Sequence, residues 1–236
     1  MLTLILAESA LELIPKEIRR HPSLARRSRL LGKSPSELLL DRSYHHAAML
    51  SLKDAERRGR PDIIHLCLLN ALGTPLNREM MLRVYVHTLN DNVISVAPEV
   101  RLPRNYDRFT SLLGQLYRTH RVPEDGNALL EIQSETLKSL LGRLRHSRVL
   151  ALSVLGEEST PAKVVEPLVS LENPVLIVGG FPRGHFSESV VQLSDAVVSI
   201  DPEGLDACIV VSRLLYEFEK QSNLSPKRWD HLRKGQ

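Results

Sequence analysis

The stretch Val175-Leu176-Ile177-Val178-Gly179-Gly180-Phe181-Pro182-Arg183-Gly184-His185 decides how the second half of the chain is read. Four apolar, mostly β-branched residues make a run of strand length, and glycines follow it directly. A strand that ends in glycine lets a ligand come close to its backbone, and in parallel sheets ligands gather at the carboxyl ends of strands. The spacing is not G-x-G-x-x-G and it falls late in the chain, so a dinucleotide fingerprint loses weight. A plain turn whose glycines only supply positive φ is the alternative reading.

Two further segments repeat the arrangement. Ile200-Asp201-Pro202-Glu203-Gly204-Leu205 follows the apolar run AVVSI and precedes a long helix near 205–220, and Leu152-Ser153 lie in the run VLALSV. Between them SETLKSLLGRLRHSR and PAKVVEPLVSL read as helices, so the second half predicts an α/β unit whose parallel sheet is covered on both faces. Three strand-end loops from one sheet would converge to wrap a flat heterocycle with backbone hydrogen bonds and apolar walls.

Moving toward the N-terminus, Leu2–Leu6 reads as a buried strand and LELIPKEIRR as a surface helix. Arg19, Arg20, Arg26, Arg27, Arg29 and Lys33 form a local cationic patch. Ser34-Pro35 predicts a helix start running through SELLL, and a second helix is expected from Tyr44 to Arg58, stopped by Gly59. Arg60-Pro61-Asp62 opens a helix over IIHLCLLNAL, with a helix cap and an ion pair as the ordinary reading of Arg60 and Asp62. RVYVHTL and VISVAP form a hairpin around Asn90-Asp91-Asn92. Arg101, Arg104 and Arg108 then crowd one stretch leading into a helix to about Leu116. The last two are i, i+4 neighbours if the helix has begun, with Asp107 available to pair with one of them. Guanidinium forks at that spacing suit successive phosphates of a nucleic acid, against a solvated helix face. The polar PEDGNA segment marks one internal boundary.

Composition narrows the class. The chain has 236 residues, 42% hydrophobic and 25% charged, with 31 Lys plus Arg against 28 Asp plus Glu, a net charge of +3. That is a globular protein whose overall balance is too mild to require a polyanion partner. Cys67 and Cys208 stand alone in no C-x-x-C spacing, which fits a reducing, cytoplasmic setting, and the short apolar start suits neither a signal peptide nor a membrane span. Nine histidines show no metal-ligand spacing. Gly32-Lys33-Ser34 lacks the first P-loop glycine, since Arg27 stands there, and no G-x-S-x-G occurs.

Arg60-Pro61-Asp62-Ile63 before an apolar helix, VYVHT in its hairpin, Arg101-Leu102-Pro103-Arg104-x-x-x-Arg108-Phe109 and VGGFPRG together resemble the Nep1 (Emg1) ribosome-biogenesis proteins nearly end to end, of archaeal type. The resemblance implies an α/β fold of SPOUT type, a parallel sheet with a C-terminal trefoil knot. It implies one domain over 1–236 with an arginine-rich insertion near 20–58 and a hairpin extension near 83–125. It implies S-adenosyl-L-methionine as donor, N1 of a pseudouridine in small-subunit rRNA as acceptor, and a homodimer, with no metal and no membrane. By matching motifs, Leu152, Gly179, Gly184 and Ile200, Asp201, Pro202, Glu203, Gly204 and Leu205 are the expected cofactor-binding positions. Arg60, Asp62, Arg101, Arg104 and Arg108 are the expected RNA contacts. Many relatives read Asn-Tyr-Pro-Leu-Ser in the last loop, so Asp201 and Glu203 are a departure there.

Asp62 is the only acid among the expected RNA contacts and the candidate catalytic residue. An adjacent guanidinium stabilises its carboxylate and weakens it as a base, so it is expected to orient a flipped base and to accept the proton only as methylation proceeds. The alternatives are a noncatalytic rRNA-binding assembly factor and, further off, a methyltransferase acting on tRNA.

Overall fold

Eight consecutive buried residues, Leu2–Ser9, form β1 and take an inner place in the sheet. The structure, a computed structural model, describes residues 1–234; Gly235 and Gln236, the end of the expected domain, lie outside the described residues. The helices α1 (Pro22–Leu31), α2 (Arg42–Met49), α3 (Pro61–Gly73) and α4 (Pro75–Arg78) follow β1. Then come β2 (Leu82–Thr88), β3 (Asn92–Val96), α5 (Tyr106–Thr119), β4 (Arg121–Val122), β5 (Leu130–Ser134) and α6 (Leu137–Leu144). The chain ends with β6 (Val149–Glu158), α7 (Pro161–Val165), β7 (Val175–Gly179), α8 (Glu188–Gln192), β8 (Ala196–Ser199), α9 (Ala207–Gln221) and α10 (Leu224–Lys234). One eight-stranded sheet runs in the order β4-β5-β3-β2-β1-β7-β6-β8. Its β2-β1-β7-β6-β8 half is parallel, and β3, β5 and β4 are added antiparallel.

The two-residue period of the strands sorts their side chains onto two cores. Leu4, Leu6, Leu150, Leu176 and Val178 pack with α3, α5 and α9, while Ile5, Ala7, Ala151, Val175 and Ile177 pack with α6 and α8. Burial on both faces is why these strands read as unbroken apolar runs. A smaller cluster of Ile14, Ile18, Leu24, Leu38, Leu40, Ala48 and Met49 holds the insertion after β1 together.

That insertion departs most from expectation. LELIPKEIRR contains only a 3-10 turn at Lys16–Ile18, because its backbone is engaged elsewhere: Ile14 N donates to Leu38 O at 2.9 Å and Leu40 N to Glu12 O at 2.8 Å. The helix lies instead in the arginine-rich segment, with Pro22 at its first position and Gly32 at φ 60 closing it. Ser34 and Glu37 do form a capping box, but the turn stops there since Leu38 is already extended. The helix expected over Tyr44–Arg58 covers Arg42–Met49 only. Gly59, at φ 68, is not its stop: its carbonyl accepts from Arg42 N at 2.9 Å, and a Cβ would fall 2.9 Å from Met49 Cε.

Three smaller corrections concern the later chain. Asn105 caps α5 through Arg108 N at 3.0 Å, so Arg104 precedes the helix and shares no face with Arg108. Asp107 pairs with Arg27 of α1 at 2.7 Å rather than with either arginine. PEDGNA joins β4 to its antiparallel neighbour β5, so the sheet runs through the expected boundary.

Candidate functional site

The carboxyl ends of β6, β7 and β8 meet at one cavity of about 350 Å³. Gly179 and Gly180 end β7 without positive φ, so the reading of a turn whose glycines only supply positive φ does not hold for them. A Cβ on Gly180 would strike Ser9 and Ile64, its N–H donates to Ala7 O at 2.9 Å, and its carbonyl accepts from Ala10 N at 2.8 Å. Only Gly184, at φ 86, uses the left-handed region there. The loop that follows, from Phe181 to Ser187, turns back along the cavity, with the Phe181 and Phe186 rings edge to face at 5.5 Å.

β6 supplies the opposite wall by leaving β8 and returning to it. Leu152 and Glu157 both pair with Val198, so residues 153–156 form an excursion, and Gly156 lies flat on the backbone of Val197 and Val198. A Cβ there would sit 2.5 Å from Val198 N, and only glycine leaves room for that approach.

The third loop is shaped by Asp201. Its carboxylate accepts from Glu203 N at 3.1 Å and faces Arg213 at 3.4 Å, while Ser199 Oγ donates to its carbonyl at 2.8 Å. Asp201, one of the two acids that depart from the expected Asn-Tyr-Pro-Leu-Ser pattern, is thus engaged in the loop's own contacts. Leu152, Gly179, Gly184, Ile200, Asp201, Glu203, Gly204 and Leu205 all line the cavity, and Pro202 does not. Phe181, Phe186, Val154, Asp206 and Val210 line it as well and were not foreseen.

The expected RNA-contact residues lie outside this cavity. Arg60 precedes α3, and Pro61 at its first position sets Asp62 in the first turn. Arg60 Nε and Nη2 donate to the two oxygens of Asp62 at 2.8 and 2.7 Å. The hydrogen bond with Asp62 raises the Arg60 guanidinium above its usual range, and the nearby carboxylates of Asp62, Asp206 and Asp41 add to this. Arg60 N donates to Ala10 O at 3.1 Å and Ala10 N to Gly180 O at 2.8 Å, which places the pair next to the strand end of β7 at the cavity.

Arg101 and Arg104 are exposed on the loop before α5. His65 of α3 holds that loop: its Nε2 donates to Pro103 O at 2.7 Å and its ring stacks on Phe109 at 4.2 Å. Tyr106 OH donates to Asp41 at 2.5 Å. Burial, reinforced by that hydrogen bond, pushes the Tyr106 phenol far above its normal range, so it stays protonated. Arg108 lines a separate groove with Lys33, Ser111, Gln115 and Arg118, in which Glu37 faces Arg118 at 3.5 Å. Among the described residues no three His, Cys, Asp or Glu side chains cluster as metal ligands, and no helix is long and apolar enough to cross a membrane.

The sequence profile described as EMG1/NEP1 methyltransferase matches residues 4–219. The chain belongs to the EMG1/NEP1 methyltransferase family. It is 47% identical over 219 residues, 93% of this chain and 98% of the relative, to the ribosomal RNA small subunit methyltransferase Nep1 of Thermococcus kodakarensis. It is 44% identical over 218 residues to that of Pyrococcus furiosus, covering 92% of this chain and 96% of the relative. A crystal structure of Archaeoglobus fulgidus Nep1 bound to S-adenosylhomocysteine superposes with a TM-score of 0.83 at 37% identity, covering 93% of this chain and 97% of that one. The resemblance read from RPDI, VYVHT, the arginine stretch and VGGFPRG is thereby shown, and with it the α/β fold and the methyltransferase class.

The unforeseen residues differ in how visible they were. Gly156 carried a signal, an isolated glycine in a strand-like run, which marks a bulge or close backbone approach. His65 and Tyr106 carried none, since their roles come from α3 meeting the loop before α5.

Proposed function

We propose that this protein transfers a methyl group from S-adenosyl-L-methionine to N1 of a pseudouridine in small-subunit rRNA, in the cytoplasm and as a step of small-subunit biogenesis. One observation carries the reading: three strand-end turns converge on a single cavity beside Arg60 and Asp62. The cavity suits the donor chemically. Its volume of 350 Å³ falls in the range of about 300–1,000 Å³ usual for cofactor sites. Leu152, Leu205 and Val210 offer apolar walls to a purine, backbone groups at Gly179 and in the 200–205 turn offer its hydrogen bonds, and Asp206 and Glu203 suit a ligand bearing positive charge.

When bound there, S-adenosyl-L-methionine supplies an activated methyl group. The chain's own residues do the rest by positioning, worth up to about 7–11 kcal/mol in favourable cases. Phe181 and Phe186 exclude water from one side of the cavity. Arg101, Arg104 and Arg108 take phosphates and set the register of the RNA. Asp62, clasped by Arg60, is held in one rotamer with a lone pair left on each oxygen. It orients the flipped base by a hydrogen bond and takes the N1 proton as the new bond forms.

A homodimer belongs to the same reading. Leu66 on α3 and Ile209 and Tyr216 on α9 are exposed, as are Val154 and Leu155 on β6, and α3 and α9 pack together. The trefoil knot of SPOUT proteins is likewise proposed; the crossing of β7 and β8 to opposite sides of β6 supports it.

Isotopic methyl transfer onto short RNA stem-loops tests the proposal. Label is expected in a hairpin carrying pseudouridine and not in its uridine twin, whose pyrimidine has no free N1–H. Equal labelling of both hairpins, or of neither, rejects the assignment. Asp62→Asn should slow single-turnover transfer by about 10²–10⁴-fold, the usual worth of a positioned proton acceptor. Unchanged turnover would remove Asp62 from the chemistry.

The arginines make a separate prediction. Arg104→Gln should weaken RNA binding and reduce the slope of log K against log salt by about one ion. Filter binding from 50 to 200 mM salt reads this, and an unaltered slope would mean that Arg104 meets no phosphate.

A further inference from the structure

Arg57 lies outside the cavity, yet the loop that closes the cavity is folded around it. Its guanidinium sits over the Phe181 ring at 4.4 Å. A side chain begun at Gly184 would start 3.9 Å from Arg57 Cδ, so the loop backbone rides along the arginine's stem. Arg57 Nη2 donates to Glu8 at 2.7 Å, and Glu8 in turn accepts from Ser187 N, the last residue of the loop, at 3.2 Å to each oxygen. The loop is thus held at its start, its middle and its end by one ion pair, whose side chains are only 23% and 10% exposed.

Glu8 is placed for this by a distortion of β1. Its φ is 49, in the left-handed region, at the point where the register between β1 and β2 shifts. Its N–H donates to His87 Nδ1 at 3.4 Å. Backbone strain of this kind in a non-glycine residue persists only where surrounding contacts fix it, and it concentrates at functional sites. Arg57 also retains a buried Nε with no hydrogen-bond partner among the described residues. A guanidinium is hard to bury incompletely satisfied, so its place under the loop is maintained at a cost.

The segment carrying Arg57 leads within three residues to Arg60. Arg58 clasps Glu12 through Nε and Nη2, both at 2.7 Å, and Arg60 N donates to Ala10 O at 3.1 Å. Residues 57–60 therefore lie against the exit of β1 as one rigid strap, with the donor-side loop on Arg57 and the acceptor-side pair at Arg60.

The geometry points to Arg57 as a positioning residue: through Phe181, Gly184 and the Glu8–Ser187 contact it holds the 181–187 loop in the shape that binds the S-adenosyl group. The inference rests on the donor site proposed above. It predicts that loosening the strap weakens donor binding by removing preorganisation, with no contact to the ligand lost.

Titration calorimetry of the full chain with S-adenosylhomocysteine tests it, alongside thermal melting and affinity for a pseudouridine hairpin. Arg57→Ala is expected to weaken S-adenosylhomocysteine about tenfold. Arg57→Lys keeps a charge facing Glu8 but loses the flat face over Phe181, and is expected to fall between wild type and alanine. Hairpin affinity should be unchanged in both. Should the alanine variant fail to fold, the lysine variant decides. Wild-type affinity in a folded variant, even one with a lowered melting temperature, overturns the proposal, because a purely structural residue changes melting alone. Should the wild-type protein itself not bind S-adenosylhomocysteine, the donor site fails and this inference fails with it, an outcome distinct from wild-type binding that the variants leave unchanged.

Discussion

Gly156→Val is expected to lower stability by about 3 kcal/mol or more and to abolish S-adenosylhomocysteine binding. The residue lies on the backbone of Val197 and Val198, where even a Cβ would come within 2.5 Å of Val198 N. Flexible side-chain ends can yield to such a contact; two backbones cannot. The excursion from Ser153 to Gly156 must then lift away from β8, and it takes with it Val154 on one wall of the cavity and Val198 to Ile200 on another. For a chain of this size 1 kcal/mol corresponds to about 2–4 °C, so the melting temperature should fall by about 6–12 °C. Gly156→Ala should move both quantities in the same direction by less. A valine variant that melts and binds as wild type would show that the two strands do not meet there.

Arg58→Met should cost about 3–5 kcal/mol, because it leaves the Glu12 carboxylate, only 7% exposed, without its bidentate partner. Asn90 Nδ2, donating at 3.2 Å, is the other side-chain hydrogen bond to that carboxylate among the described residues and is neutral. The pair sits where β1 hands over to the insertion, so its loss should loosen the strap of residues 57–60 as well as the local core. The hydrogen bond with Glu12 holds the Arg58 guanidinium above its already high range, so the pair does not titrate from the arginine side near neutral pH. Urea unfolding of Arg58→Met, Glu12→Leu and the double variant measures this. The double variant should recover most of the loss, since an apolar pair of similar volume replaces a buried charge pair at little net cost. If the double variant is as unstable as the single one, shape rather than unpaired charge is responsible.

The legible parts of this protein were those governed by one local rule. Unbroken apolar runs gave away β1, β6 and β7, the Asn90-Asp91-Asn92 turn gave away the hairpin, and strand ends with glycine gave away the cavity. The less legible parts were decided by distant partners. Glu12 and Ile14 gave their backbone groups to Leu40 and Leu38, so a helical pattern became a bridge and a 3-10 turn. Asp54 in the left-handed region and the contact of Gly59 with Arg42 broke a helix whose periodicity looked continuous. The helix in the arginine patch has local signals of its own, Pro22 at its first position and Gly32 just beyond its end. At the site, the cavity takes Asp201 and Glu203 on either side of Pro202 and not Pro202 itself, a distinction within one turn that only the folded backbone makes. Arg57 was one of many cations in the sequence, and nothing short of the fold distinguishes it from its neighbours.

The sheet ends in two stubs: β4 has two residues before Pro123, and β8 has four. Proline offers no amide hydrogen to a newcomer, and so short a rim gives another chain little to zip onto. Two copies of this molecule therefore have no ribbon to extend between them. The exposed apolar side chains of Leu66 and Tyr216 on the helices and of Val154 and Leu155 on β6 are then the surfaces left for such a pairing.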